Sequence, residues 1–364
     1  MGFNCGIVGL PNVGKSTIFN AMTSKGAEAS NYPFCTIEPN VGMVPLRDER
    51  LYKLAAIAKP EKTLPTAVEF VDIAGLVKGA SKGEGLGNQF LGNIRNVDTI
   101  THVVRCFDDP DVVHVDGRID PLSDIETIET ELLLADLEGL DRKIHKAEKL
   151  KKSGDKDGTA AFEIYTKVNE VLSAGSPART LGSEITGTTC FRDMHLLTAK
   201  PVVYVANVSE DDLEGASELA VKVKERAAEE GAGFVPICGK IEAELAELSD
   251  EERAEFLTDL GLDSSGLDRL AAMTHELLRL ITYFTVGPKE VRAWTLVKGS
   301  TAPAAAGVIH TDFEHGFIKA EVIGYDDFIN CGSEAACKEK GLLRIEGKDY
   351  IVKDGDLMHF RFNV

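Results

Sequence analysis

Short apolar runs alternate with amphipathic stretches through the first part of the chain. Residues 3–8, 67–71 and 99–107 read as buried strands, and a helix opens at Ser16. Residues 201–206 repeat the strand pattern, followed by a helix over 214–230 and a further strand over 234–238. Strands of this kind separated by helices predict a mostly parallel sheet covered on both faces. Between the third and fourth runs the period changes. Leu133, Leu137, Leu140, Ile144 and Ala147 are spaced 4-3-4-3, a heptad seam. After the turn KKSGDKDGTA, a second stripe follows at Ala161, Ile164, Val168 and Val171, which predicts an antiparallel helical hairpin. From about residue 281 the runs VRAWTLV, GFIKAEVI, DYIVKDG and MHFRFNV have period two and Gly-rich joints, so they read as strands of a small α+β module. The expected division is 1–125 and 199–280 for the α/β domain, 126–198 for the helical insert and 281–364 for the last module.

The first strand runs into GLPNVGKST, in which Gly9, Gly14, Lys15 and Ser16 complete a P-loop between a strand and a helix. Its physics is anion binding. Glycine lets successive N–H groups of Asn12, Val13, Gly14, Lys15, Ser16 and Thr17 face phosphate oxygens, and the helix N-terminus adds partial positive charge. Lys15 is expected to reach the β and γ phosphates and is a catalytic candidate; Ser16 is expected to give its hydroxyl to Mg2+. The strand over 67–71 ends in Asp72-Ile-Ala-Gly75, where a carboxylate suits the magnesium shell and a glycine N–H suits the γ-phosphate. Between the two, NYPFCTIEPN offers Thr36 as a further metal ligand on a loop that senses the γ-phosphate.

These residues resemble a known family. GLPNVGKST, NYPFCTIEPN, DIAGLVKGAS and GEGLGNQFL look like the Obg-related P-loop proteins. The helical insert, NVSE and HTDFEHGFIKAEV point more narrowly to the YchF/Obg-like ATPase family. The resemblance runs along essentially the whole chain. It implies a G domain with a mostly parallel sheet, an inserted antiparallel coiled-coil hairpin and a C-terminal TGS module of β-grasp type. It also implies ATP hydrolysis and association with ribosomes, through ribosomal RNA and ribosomal proteins.

Two positions bear on which nucleotide is used and how it is cut. The stretch PVVYVANVSEDD stands where a guanine reader has Asn-Lys-x-Asp: Asn207 is kept, Val208 replaces the Lys and Glu210 the Asp. A longer carboxylate fits guanine's paired donors less well, and an Asn side chain can pair with an adenine edge. The following loop reads Cys238-Gly239-Lys240 in place of Ser-Ala-Lys. Leu76 occupies the place of the glutamine that orients water in Ras-like enzymes, so another polar group must do that work. His114, in DDPDVVHVDG, is the candidate. The alternatives are a GTPase of the same fold and a nucleotide-binding adaptor with negligible turnover.

Composition narrows the partners. The chain has 364 residues with a net charge of −19, which disfavours indiscriminate nucleic-acid binding and gives no reason to expect DNA specificity. Basic residues concentrate at Arg142, Lys143, Lys146, Lys149, Lys151 and Lys152, near the hairpin tip. The module from 281 carries ten Lys and Arg against twelve Asp and Glu, so it is the least acidic part. RNA contact is therefore expected through the hairpin tip and that module. Seven scattered cysteines without a CxxC pair fit a reducing cytoplasm. The apolar runs fall short of the ~18 residues that span a bilayer. The opening MGFNCGIVGL lacks a basic stretch before its apolar run and reads as a core strand, not a signal peptide.

Overall fold

The computed structural model describes residues 3–28, 40–73, 86–110 and 118–363. Its strands, in chain order, are β1 Asn4–Val8, β2 Val41–Pro45, β3 Lys62–Leu64, β4 Ala67–Asp72, β5 Thr99–Arg105, β6 Val202–Asn207, β7 Gly233–Ile237, β8 Leu280–Val286, β9 Glu290–Val297, β10 Phe317–Ile323, β11 Arg344–Glu346 and β12 Leu357–Phe362. They form two six-stranded sheets. The first has the order β2-β4-β1-β5-β6-β7 and is parallel except for the edge strand β2. Every residue of β5 and β6 is buried, the polar ones Thr99, Thr101, His102, Arg105 and Asn207 included, which requires cover on both faces of the sheet. After β1 the chain adds β4 on one side and β5 on the other, so the carboxyl end of β1 is a topological switch point, where ligands bind in open α/β sheets.

The second sheet is mixed, with the order β11-β10-β12-β8-β9-β3. Its last strand comes from the first part of the chain: Lys62–Leu64 pairs in parallel with β9, Lys62 opposite Glu290 and Leu64 opposite Arg292. Leu51 and Leu54 of the helix Glu49–Ala58 are buried in the same core as Phe284, Val291, Ala293 and Leu357. Neither β2 nor β3 was signalled by the pattern; each is short, and one partner lies far along the chain. The run DYIVKDG is not a strand. It contributes a single bridge, Ile351 to Thr301. Asp356, just after it, turns the chain instead, accepting from Lys353 N–H at 2.9 Å and from the Tyr350 hydroxyl at 2.8 Å. Likewise the helix expected from 214 begins at Glu218, because Ser217 caps it by accepting from Ala220 N–H. Before it, Asp212 accepts from the N–H groups of Ala216 at 2.6 Å and Ser217 at 3.1 Å.

The hairpin consists of Pro121–Lys152 and Lys156–Ser173. Its long helix serves two cores. Ile125, Ile128 and Leu132 belong to the α/β core, whereas Leu133 and Leu140 pack with Val168 and Leu172. The buried end of the second stripe is thus Leu172, with Val171 half-buried. At the hairpin base Arg179 is ion-paired to both Glu129 and Glu230, and the Tyr204 hydroxyl donates to Glu230 at 3.0 Å. Beside Tyr204 on β5, His102 is 2% exposed. Burial, reinforced by the Arg179 charge, pushes the imidazole pKa down to about 3. An unfolded chain takes up that proton near pH 6.5, so the unfolded state binds more protons below that pH. Stability is therefore expected to fall as pH drops from about 6.5 towards 3, by up to ~1.4 kcal/mol per pH unit from this group. Urea unfolding of the native chain and His102→Gln at pH 7, 6 and 5 checks this; equal slopes with pH would exclude His102 as the cause.

Candidate nucleotide-binding site

The P-loop follows from the sequence that precedes it. The buried strand β1 delivers the chain to the switch point, and the helix Lys15–Glu28 carries it away. The loop needs left-handed backbone at Asn12, with φ 64°, and at Gly14, with φ 89°. Asparagine tolerates that region better than most side chains. At Gly14 there is a second constraint, since a Cβ there would sit 2.0 Å from Nδ2 of Asn207. Val13 turns its side chain into the core. The loop surrounds one end of a cavity of about 770 Å3, lined there by Asn12, Gly14, Lys15, Ser16 and Thr17.

β4 brings Asp72 to the same end. Lys15 Nζ is ion-paired to the Asp72 carboxylate and also donates to the Ile73 carbonyl at 3.1 Å. Ser16 is exposed and lines the cavity. A serine hydroxyl and a carboxylate are hard oxygen donors of the type Mg2+ takes, usually together with water and substrate phosphates. Among the described residues no group of three His, Cys, Asp or Glu could by itself hold a metal ion. Thr36, Gly75, Leu76 and His114 lie outside the described residues.

The same cavity is also lined by Asn207, Val208, Ser209, Glu210 and Asp211, by Cys238, Gly239 and Lys240, and by Phe107, Asp108 and Asp109. Sequence reasoning gave Asn207 an adenine edge to pair with. In the structure the side chain is buried and its amide joins two loops. Nδ2 donates to the Val13 carbonyl at 2.9 Å, and Oδ1 accepts from Gly239 N–H at 3.0 Å. Val208 is buried, and its N–H donates to the Ile237 carbonyl at 2.9 Å. Glu210 lies in a 3-10 turn, exposed, with one carboxylate oxygen 3.9 Å from Lys240 Nζ. Burial raises the Cys238 thiol pKa, so the thiol stays protonated. Phe107, Asp108, Asp109 and Lys240 were missed as cavity residues. A visible signal was Arg105, a charge placed directly after the apolar pair Val103-Val104 at the end of a strand.

Residues 4–136 match a family described as 50S ribosome-binding GTPase, and residues 280–363 match the YchF-GTPase C-terminal family, described as of unknown function. The chain is 58% identical over 364 residues to the "Ribosome-binding ATPase YchF" of Haemophilus influenzae, with all of both chains covered. The chain belongs to the YchF family. Proteins of the same name from Escherichia coli O157:H7 and Bacillus subtilis are 56% and 54% identical, again with both chains covered in full. Among solved structures, the Schizosaccharomyces pombe YchF GTPase superposes with a TM-score of 0.89 at 38% identity, covering 99% of this chain and 98% of that one. A YchF-family protein of this architecture is a P-loop G domain with a helical hairpin insert and a second, mixed sheet. None of the described helices is long and apolar enough to cross a membrane.

Proposed function

We propose that this protein is a ribosome-associated P-loop ATPase that uses ATP in preference to GTP as a nucleotide-dependent switch in the cytoplasm, acting in translation or its regulation under stress. One observation carries the nucleotide reading: a P-loop and a base loop altered at both specificity positions, Val208 and Glu210, line a single cavity. In this reading Lys15 leaves Asp72 for the β and γ phosphates, and the backbone N–H groups from Asn12 to Thr17 take the remaining phosphate oxygens. Ser16 and Thr36 would hold Mg2+ directly, with Asp72 behind them; the ion, when bound, neutralises charge on the β and γ oxygens. Gly75 would give its N–H to the γ-phosphate. Because Leu76 cannot orient a water molecule, His114 takes that role, and slow intrinsic turnover follows. Val208 offers no lysine stem to brace a base, and Glu210, longer than the Asp it replaces, fits guanine's two donors less well.

Ribosome binding is supported by the names of the curated relatives and by the hairpin tip. Lys146, Lys149, Lys151 and Lys152 are exposed there, with Lys151 over the Phe162 ring at 4.4 Å and Lys152 paired to Glu148 at 2.7 Å. Phosphate contacts of this kind weaken with salt. A GTPase is the second reading, favoured by the name of the S. pombe structure and by the family that residues 4–136 match. Dissociation constants for ATP and GTP, with turnover measured with and without ribosomes, decide the matter. ATP is expected to bind more tightly and ribosomes to raise its turnover; GTP binding at least about tenfold tighter, some 1.4 kcal/mol, favours the GTPase.

A further inference from the structure

We infer that Arg105 is a positioning residue for the nucleotide: it fixes residues 107–109 as one wall of the cavity. Arg105 ends β5 and is 1% exposed, the largest of the fully buried side chains among the described residues. A guanidinium is costly to bury unless its donors are met. Its Nε donates to the Phe107 carbonyl at 3.1 Å and a terminal nitrogen to the Asp109 carbonyl at 3.3 Å. Its planar group lies over the Phe107 ring, 4.7 Å from the centroid. One side chain thus holds two carbonyls and the ring of a three-residue segment, a fork-and-stack geometry that lysine's single point charge cannot reproduce.

The position on the sheet makes this matter. Arg105 is the register partner of Asn207, and Cys106 N–H donates to the Asn207 carbonyl at 2.8 Å. The segment therefore leaves the sheet beside the residue that ties the P-loop to the loop at Gly239. The segment also brings Asp108 and Asp109 to the cavity lining. Two carboxylates beside a triphosphate would repel it. Their wall belongs at the base and ribose end, where amino and hydroxyl donors suit a carboxylate. This inference rests on the nucleotide reading proposed above and assigns to Arg105 affinity for the base-bearing end, not for phosphate.

The test uses the full chain, a fluorescent ATP analogue and inorganic tripolyphosphate as competitor. Arg105→Lys keeps the buried charge and loses the fork. It is expected to raise the dissociation constant of the ATP analogue about tenfold, the effect of one or two lost charge-assisted hydrogen bonds, and to leave tripolyphosphate affinity unchanged. Combining it with Phe107→Ala is expected to weaken ATP binding no further than Phe107→Ala alone, because both act through the same wall. An unchanged ATP affinity overturns the inference, and so does an equal loss for ATP and tripolyphosphate, which would mark general damage. If Arg105→Lys does not fold, Phe107→Ala must show the same split between the two ligands; its absence overturns the inference as well. A wild-type chain that binds tripolyphosphate but neither ATP nor GTP would instead refute the proposed function.

Discussion

Asn207→Ala is expected to weaken ATP binding on the order of a hundredfold, about 2.7 kcal/mol. The substitution removes two buried hydrogen bonds, one to the Val13 carbonyl and one from Gly239 N–H. Each leaves a backbone group without its partner, at about 1–3 kcal/mol per group. The loss falls where three loops meet: the P-loop, the loop after β6 and the loop at Cys238. Part of it appears as lower stability of the empty protein and part as lower affinity, because ATP must then order loops that Asn207 now holds in place. Asn207→Asp separates the amide's size from its donor. It keeps an oxygen for Gly239 N–H but turns a second oxygen on the Val13 carbonyl, so it is expected to bind ATP no better than Asn207→Ala. Calorimetric titration of the three proteins with ATP, alongside their thermal melts, gives both quantities. ATP affinity of Asn207→Ala within about threefold of wild type, under 0.7 kcal/mol, would show that Asn207 is not the brace described here.

That role marks the limit of what the sequence could show. The P-loop was legible because its chemistry is local: glycines, lysine and serine at fixed spacing between a strand and a helix. The hairpin was legible because burial imposes a heptad period on a single segment. Asn207 was legible as a residue but not as a contact. Its partners are backbone groups 194 and 32 positions away, and backbone groups leave no side-chain signature. The same holds for residues 107–109. Their place in the cavity depends on the bonds from Arg105, and the pattern of β5 says only that the strand is buried. The expected strand at DYIVKDG failed for a related reason. Alternation predicts an extended run, but Asp356 fixes a turn by accepting from Lys353 N–H, and Asp354 ties that turn to β8 by accepting from Thr282 N–H at 2.8 Å.

β3 is the least legible element and has the largest consequence. Three residues, Lys62–Leu64, carry no period that could assign them to a sheet whose other strands begin at Leu280. Yet they place a strand from the first part of the chain at the edge of the second sheet. Deleting residues 281–364 is expected to leave a chain that is poorly soluble or melts more than 10 °C lower, instead of an independent nucleotide-binding domain. The deletion unpairs β3 and strips cover from Leu51 and Leu54, both fully buried against the C-terminal module. At about 1.5–3 kcal/mol for each leucine side chain, that exposure alone approaches the ~5–15 kcal/mol that hold a whole domain folded. Two polar ties go with it: the Thr66 to Thr295 hydroxyl contact at 2.7 Å and the Arg50 to Asp354 ion pair at 2.6 Å. Replacing Leu51 and Leu54 by Gln in the shortened chain should restore solubility if bare apolar surface is the cause, while in the full chain the same pair should lower the melting temperature. A shortened chain that melts within about 2 °C of the full protein, under roughly 1 kcal/mol for a protein of this size, would mean that β3 and the helix Glu49–Ala58 do not depend on the module they help to build.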